Sequence, residues 1–376
     1  MSRYGYSSLE SASTVTSNQN ISLGPLDRDI AFPSNAQDTI SAIRWSPTAN
    51  HLAAASWDGK VYIYDASTPT NIRGVAMIST SANTPFLDCD FSKDGTQVAA
   101  GGADANLHVL DAASGATAIF SGHTKPIKAV RFVNISAASG APIAVTGSWD
   151  NTIRYWDLRV PTAAITINCG ERVYGMDTND GGERTLVAAT ADKKLHVIDL
   201  RKPDSGAWDV KEARESPLNY QTKAVAVSRD GTRYAVGSIE GRASVQSVVE
   251  GDTRTRNLTW KCHRDKPEPI QGGNRTQQQT KCFAINAAAF LPTSHAILAT
   301  GGSDGTFQFW NVDTHTRTKM FPNVGGSVTS IGFSYDGQYF AYAIGYDWAQ
   351  GYLGNVHEHP RKLMLHAVAK AEIGGK

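Results

Sequence analysis

The chain has 376 residues, 41% of them hydrophobic and 19% charged, and its 36 Lys+Arg against 35 Asp+Glu leave a formal net charge of +1. That balance excludes nucleic-acid binding by whole-molecule charge and leaves room only for a local basic patch. No apolar run approaches the ~18 residues of a membrane span, residues 1–20 lack the apolar core of a signal peptide, and none of the four cysteines stands in a C-x-x-C pair. No membrane, metal or disulfide framework is therefore expected, and free thiols point to the cytosol or nucleus.

Residues 1–27 are rich in Ser, Thr and Asn and read as a disordered polar extension. "DRDIAFP" (27–33) offers a strand to close the last repeat. From residue 40 a unit recurs: an apolar strand, a polar turn, a strand of small residues, a Ser-x-Asp-Gly-like turn and a third strand. Its copies span 40–66, 85–112, 127–158, 173–200, 222–248, 285–313 and 328–348, with turn acids Asp58, Asp104, Asp150, Asp192, Glu240, Asp304 and Asp347. Five of the six spacings are about 42–48 residues, the length of a WD-type blade. In "KVYIYD" (60–65) Val61 and Ile63 point one way and Tyr62 and Tyr64 the other, so both faces are apolar and each sheet needs a neighbour on either side. The fold expected is all-β, a seven-bladed WD-repeat β-propeller over residues 28–370. It carries a polar insertion at 262–281, too long for a turn and either functional or disordered, and a flexible tail at 371–376.

The third copy holds a candidate buried network, His123, Ser148, Asp150 and Trp156, whose polar groups can satisfy one another. A catalytic triad of His123, Ser148 and Asp150 is the weaker reading, because blade architecture explains the same spacing. There is no phosphate loop, no H-E-x-x-H and no G-x-S-x-G. "HEH" (357–359) is read as a solvated cluster before a metal site. No catalytic residue, metal, cofactor or small-molecule substrate is expected.

Binding is the better class. The turn after the second strand and the loop joining successive blades open on one face, where Trp57, Trp149 and Trp348 are either interface anchors or packed on neighbouring blades. In "GSIEGR" (237–242) Glu240 replaces the turn aspartate and Arg242 follows, with Lys261 near the loop into the sixth blade. The two cations would receive a pair of partner carboxylates or pair internally with Glu240 or Asp230.

"ESPLNYQTKAVAV" (215–227), "GSIEGRASV" (237–245), "TWKCHR" (259–264), "GGSDGTFQFWNVDTHTRTKM" (301–320) and "IGYDWAQG" (344–351) resemble the WD-repeat mRNA export factors of the nuclear pore, in a fungal form. The sister family, the mitotic checkpoint WD-repeat proteins, shares the "SIEGR" and "KCHR" signatures. The resemblance implies a scaffold in the nucleus, at the nuclear envelope and pore, and also in the cytoplasm. Its partner would be the glutamate-containing GLEBS motif of an FG-repeat nucleoporin, with Arg242 and Lys261 as acceptors of the paired glutamates. Checkpoint kinases would be the partners under the alternative reading. It further implies an edge for mRNA, as single-stranded RNA, or viral protein at Trp260, Trp310, Arg317 and Lys319, where aromatic surface is interleaved with cations. "NVDTHT" (311–316) is longer than the family pattern, which leaves the placement of Arg317 and Lys319 open, and Trp310 also fits as the third-strand tryptophan of its blade.

Overall fold

Alternation along the third strand of the first repeat, Lys60–Asp65, shows how the ring is built. Val61 and Ile63 enter a core shared with the second sheet, while Tyr62 and Tyr64 face one shared with the seventh. The computed structural model describes residues 26–34, 36–80, 83–135, 142–179, 182, 184–201, 213–251, 257–270, 277–356 and 359–374. Among these, seven antiparallel four-stranded sheets repeat the pattern, the seven-bladed propeller that the repeat predicts. The inner strands, in blade order, are Ile40–Trp45, Phe86–Phe91, Ile127–Val133, Val173–Thr178, Thr222–Val227, Ile285–Phe290 and Ser327–Phe333. Apolar clusters fill the boundaries between blades, so the core is distributed around the ring. Small residues on the second strands permit the close approach: a Cβ added to Gly101 would lie 2.5 Å from Ile127 Cγ2.

Adjacent inner strands are tied by side chains, not by ladder bonds. Asp88 accepts from the Val130 amide at 3.0 Å, Asp90 from Phe132 at 2.8 Å, Asp177 from Val227 at 2.9 Å, and Ser330 from Ile43 at 3.0 Å. Arg131, 5% exposed, bridges Asp88 at 2.6 Å and Asp177 at 2.8 Å. Buried carboxylates persist where such donors surround them.

The chain ends close the ring. Ile30–Ala31 pairs with Lys362–Ala367 as the outermost strand of blade 7, where "DRDIAFP" was expected to add. A buried clasp locks the closure: His366 donates through Nδ1 to Asp29 at 2.7 Å and through Nε2 to Glu372 at 3.0 Å, and the Tyr342 hydroxyl donates to Asp29 at 2.8 Å. Residues 371–373, expected in a flexible tail, instead belong to a 3-10 turn, Lys370–Ile373, pinned because Glu372 supplies that second carboxylate. The extension expected over 1–27 lies outside the described residues as far as residue 25. In the polar insertion the backbone forms a short hairpin, Glu268–Ile270 with Gln277–Gln279.

Candidate functional site

The turns between second and third strands require a left-handed residue, and Gly59, Ala105, Asn151, Lys193, Gly241 and Gly305 supply it with φ between 62° and 79°. The preceding aspartate accepts the amide two residues on: Asp58 from Lys60 at 3.1 Å, Asp150 from Thr152 at 3.0 Å, Asp304 from Thr306 at 3.1 Å. That local bond is why the repeat selects Asp. Each turn also bonds back to the carbonyl ahead of its own inner strand, Trp57 to Thr39 at 3.0 Å, Trp149 to Pro126 at 3.0 Å and Ile239 to Gln221 at 3.1 Å. Turns and blade-joining loops therefore open on one face, the upper one.

Blade 5 departs from this chemistry. Among the described residues no amide bonds the Glu240 carboxylate; its Oε2 lies 3.4 Å from Arg242 Nε and 3.6 Å from Arg264 Nη2. Arg264 also donates to the carbonyls of Glu240 at 2.7 Å and Gly241 at 3.3 Å, so it clamps the turn from the following loop. A Cβ at position 241 would lie 2.6 Å from the Cys262 carbonyl oxygen, which holds the position to glycine. Arg242 opens the third strand and is the register partner of Lys261 in the outer strand Leu258–Lys261. Two cations thus stand opposite each other, an arrangement that costs stability unless an anion intervenes. Arg242 Nε and Glu240 Oε1 are buried without a hydrogen-bond partner. The internal pairing with Glu240 is present as a contact lacking hydrogen-bond geometry. Asp230 instead bonds Ser228 and Thr232, each at 2.7 Å.

The three turn tryptophans are half-buried. Trp57 and Trp348 stack across the boundary of blades 1 and 7, ring centroids 4.7 Å apart and planes 22° apart. Trp149 stands in blade 3, apart from that pair. The indole nitrogens of Trp149 and Trp348 are buried and lack acceptors. Asp347, aligned by sequence with the turn acids, reaches into blade 6: Ser303 donates to it, and Asn286 does so at 3.2 Å. Those bonds and the charge of Lys223, working against burial, keep its carboxyl below the usual range.

The blade 3 network is a structural relay. The Trp156 indole donates to Thr146 Oγ1 at 2.8 Å, Thr146 lies 2.7 Å from His123 Nε2, and His123 Nδ1 lies 2.8 Å from Asp150. Burial lowers the His123 pKa despite Asp150, so the ring is neutral, donating to Asp150 and accepting from Thr146. Burial opposes the charge on Asp150, yet donors from Thr152 and His123 hold it at about 2. Ser148, expected within the relay, lies outside it and donates instead to the carbonyls of Lys125 at 2.9 Å and Pro126 at 3.0 Å. Period-2 geometry explains the difference: Thr146 shares a face with Ser148 but lies one pleat nearer the indole. With its hydroxyl directed to backbone, Ser148 has no nucleophile geometry toward His123. A second relay was missed: His263 bonds Asp304 at 2.9 Å and Thr300 at 2.9 Å, and Trp310 donates to Thr300 at 3.0 Å. "KCHR" therefore divides its labour among the exposed Lys261, the buried Cys262, His263 of the blade 6 relay and Arg264 of the turn clamp. The spacing Thr-x3-Asp-x5-Trp, which Thr300, Asp304 and Trp310 share with Thr146, Asp150 and Trp156, was the signal that could have found this.

At the edge of blades 5 and 6, Trp260 and Trp310 lie 5.4 Å apart, and the Arg317 guanidinium sits 5.8 Å from the Trp310 ring. Lys319 does not join them. A bulge pairs Trp310 with Arg317 but Phe309 with Lys319, so the two cations face opposite sides of the sheet. Lys319 lies 5.9 Å from Phe321, in the boundary with blade 7. In the "HEH" run only His359 lies among the described residues; its Nε2 donates to the Gly354 carbonyl at 2.7 Å. No described helix is long and apolar enough to cross a membrane.

The family "WD domain, G-beta repeat" matches residues 30–65, 115–157 and 275–311. The chain is 42% identical over 361 residues to the mRNA export factor GLE2 of Chaetomium thermophilum, covering 94% of each protein. It is 38% identical over 373 residues to the poly(A)+ RNA export protein of Schizosaccharomyces pombe, covering 99% of this chain and 98% of that one. With the mitotic checkpoint protein BUB3.1 of Arabidopsis thaliana the identity is 31% over 355 residues, covering 93% and 95%. The solved structure of U3-55K aligns with a TM-score of 0.73 over 92% of this chain and 100% of that one at 16% identity, a likeness of fold alone.

Proposed function

The chain belongs to the WD-repeat family of mRNA export factors, and from that membership we propose that it is a non-enzymatic scaffold of the nuclear pore that holds the glutamate-containing GLEBS segment of an FG-repeat nucleoporin across its upper face. One observation carries the reading: Arg242 and Lys261 stand in register on that face, while Arg242 Nε and Glu240 Oε1 lack hydrogen bonds. A peptide carboxylate takes the Arg242 guanidinium in a bidentate pair and relieves the repulsion between the two cations. Glu240 stays with Arg264 and its turn stays closed. The stacked Trp57 and Trp348, with Trp149 further round the ring, give the peptide apolar side chains a surface to cover. Single-stranded RNA is the second ligand of this reading, at Trp260, Trp310 and Arg317. The protein acts at the nuclear envelope and in the nucleus, and is also present in the cytoplasm.

The test is calorimetric titration of the full chain with a GLEBS-type peptide from the same organism's FG nucleoporin, beside the equivalent checkpoint-kinase segment. Reversing both charges, Arg242→Glu with Lys261→Glu, should weaken nucleoporin binding more than about a hundredfold, since each lost charged contact removes about 1.5–3 kcal/mol. Its far-ultraviolet circular dichroism should match the parent's, the check that the ring stays folded, while the new carboxylates beside Glu240 lower its unfolding midpoint. Undiminished affinity sinks the site, and preference for the kinase segment moves the chain to the checkpoint role.

A further inference from the structure

Opposite the upper face, where the inner strands end, the central channel opens into a cavity of about 520 Å3. That is the size of small-ligand sites. One wall is charged, with Arg44, Asp90, Arg131 and Asp177; the facing wall is apolar, with Ala288, Ala289 and Ile331. The charged groups are unequally satisfied. Arg131 is held between Asp88 and Asp177, and Arg44 donates to Asp177 at 3.0 Å. Lys128 acts on Asp88 from the upper part of the channel. Asp90 has no ion pair among the described residues, and its single hydrogen bond comes from the Phe132 amide to Oδ2. Asp90 itself lines the cavity. The rim cations Lys93 and Arg229 are exposed, so solvent screens them.

We propose that this cavity is a socket for a cationic head on an aliphatic stem, a lysine- or arginine-type side chain, with Asp90 as the acceptor and the Ala288, Ala289 and Ile331 wall against the methylenes. An ammonium or guanidinium supplies the direct ion pair that Asp90 lacks among the described residues, and the apolar wall suits a stem that snorkels. Burial, with Asp88 and Asp177 nearby, outweighs the attraction of Arg44 and raises the Asp90 carboxyl to about 7, so its charge is only partly compensated. A bound anion would find Arg44 and Arg131 already engaged by Asp177 and Asp88, and a neutral stem would leave Asp90 without an ion pair. The socket is on the face away from Arg242 and Lys261, so its success or failure is independent of the peptide site.

The experiment is a methyl NMR titration of the full chain at pH 8, reading Ala288, Ala289 and Ile331. The probes are Ac-Gly-Lys-Gly-NH2, Ac-Gly-Arg-Gly-NH2 and the neutral Ac-Gly-Nle-Gly-NH2. Saturable shifts with a cationic probe, and none with norleucine, are expected; the stronger of the two names the preferred head group. Asp90→Asn keeps an acceptor for the Phe132 amide and should weaken binding about tenfold or more. Ala289→Leu fills the void without touching a charge and should abolish the shifts, which keeps the test intact should Asp90→Asn unfold. Equal response to norleucine, no saturation with either cation, or binding unchanged in a folded Asp90→Asn or Ala289→Leu overturns the proposal.

Discussion

His366 is 4% exposed between carboxylates from opposite ends of the chain, Asp29 and Glu372, and its protonation decides how firmly the ring is closed. Burial alone would lower its pKa, but the hydrogen bonds and charges of the two acids raise it from 6.5 to about 9. Each pH unit of displacement is worth about 1.4 kcal/mol, so the clasp contributes on the order of 3 kcal/mol. The His366, Asp29 and Glu372 side chains are 5%, 3% and 10% exposed, which leaves little solvent screening. A raised folded-state pKa gives stability that is complete below the unfolded value and lost as the pH rises through the folded one. The contribution should therefore be whole below about pH 6.5 and gone above about pH 9. Urea midpoints of the parent and His366→Gln, measured in steps from pH 6 to 9.5, isolate it. Differencing removes the background from Asp88 and Asp90, which burial raises to about 6 and about 7. The gap should fall from about 3 kcal/mol at pH 6 towards zero at pH 9.5. A gap that does not change with pH, or no gap at all, refutes the clasp.

Thr146→Val leaves the Trp156 indole without its acceptor and strips one bond from His123; calorimetric unfolding should show a loss of roughly 2–4 kcal/mol, against about 1 kcal/mol for Ser148→Ala. The reverse order would restore Ser148 to the relay. The Trp57–Trp348 stack should give an exciton couplet in circular dichroism, and replacing either tryptophan by phenylalanine should remove it; a couplet that survives places the signal elsewhere. Titration with fluorescent oligouridylate should weaken with Arg317→Ala, whose salt slope falls by about one. Lys319→Ala should bind as the parent does, and equal losses would mean that the bulge does not separate the two cations.

Residues acting within a few positions of themselves were legible. Alternation in "KVYIYD", small residues in the second strands, and an aspartate accepting the amide two residues on are local geometry, and together they fix the blade and its count. The break at Glu240 was visible for the same reason, because the longer side chain forfeits a bond that Asp makes. The seventh turn acid was less so: Asp347 has its place in the repeat, but its side chain answers to Ser303 and Asn286 of the preceding blade. The Arg317 and Lys319 pair reads as one cationic edge in any alternating strand, and a single extra residue opposite Phe309 and Trp310 turns Lys319 away.

The sequence by itself thus determined the repeat, the number of blades, the turns and the exceptional cations, since each rests on period-2 strands and short-range hydrogen bonds. Only the tertiary structure decided which partners meet across blade boundaries: Thr146 in place of Ser148, the Arg131 bridge, the clasp from Asp29 to His366, and the cavity before Asp90. The Ile43 amide and Ser330 are 287 residues apart. A bond of that kind forms because the closed ring brings two inner strands together, and no local pattern of residues encodes it.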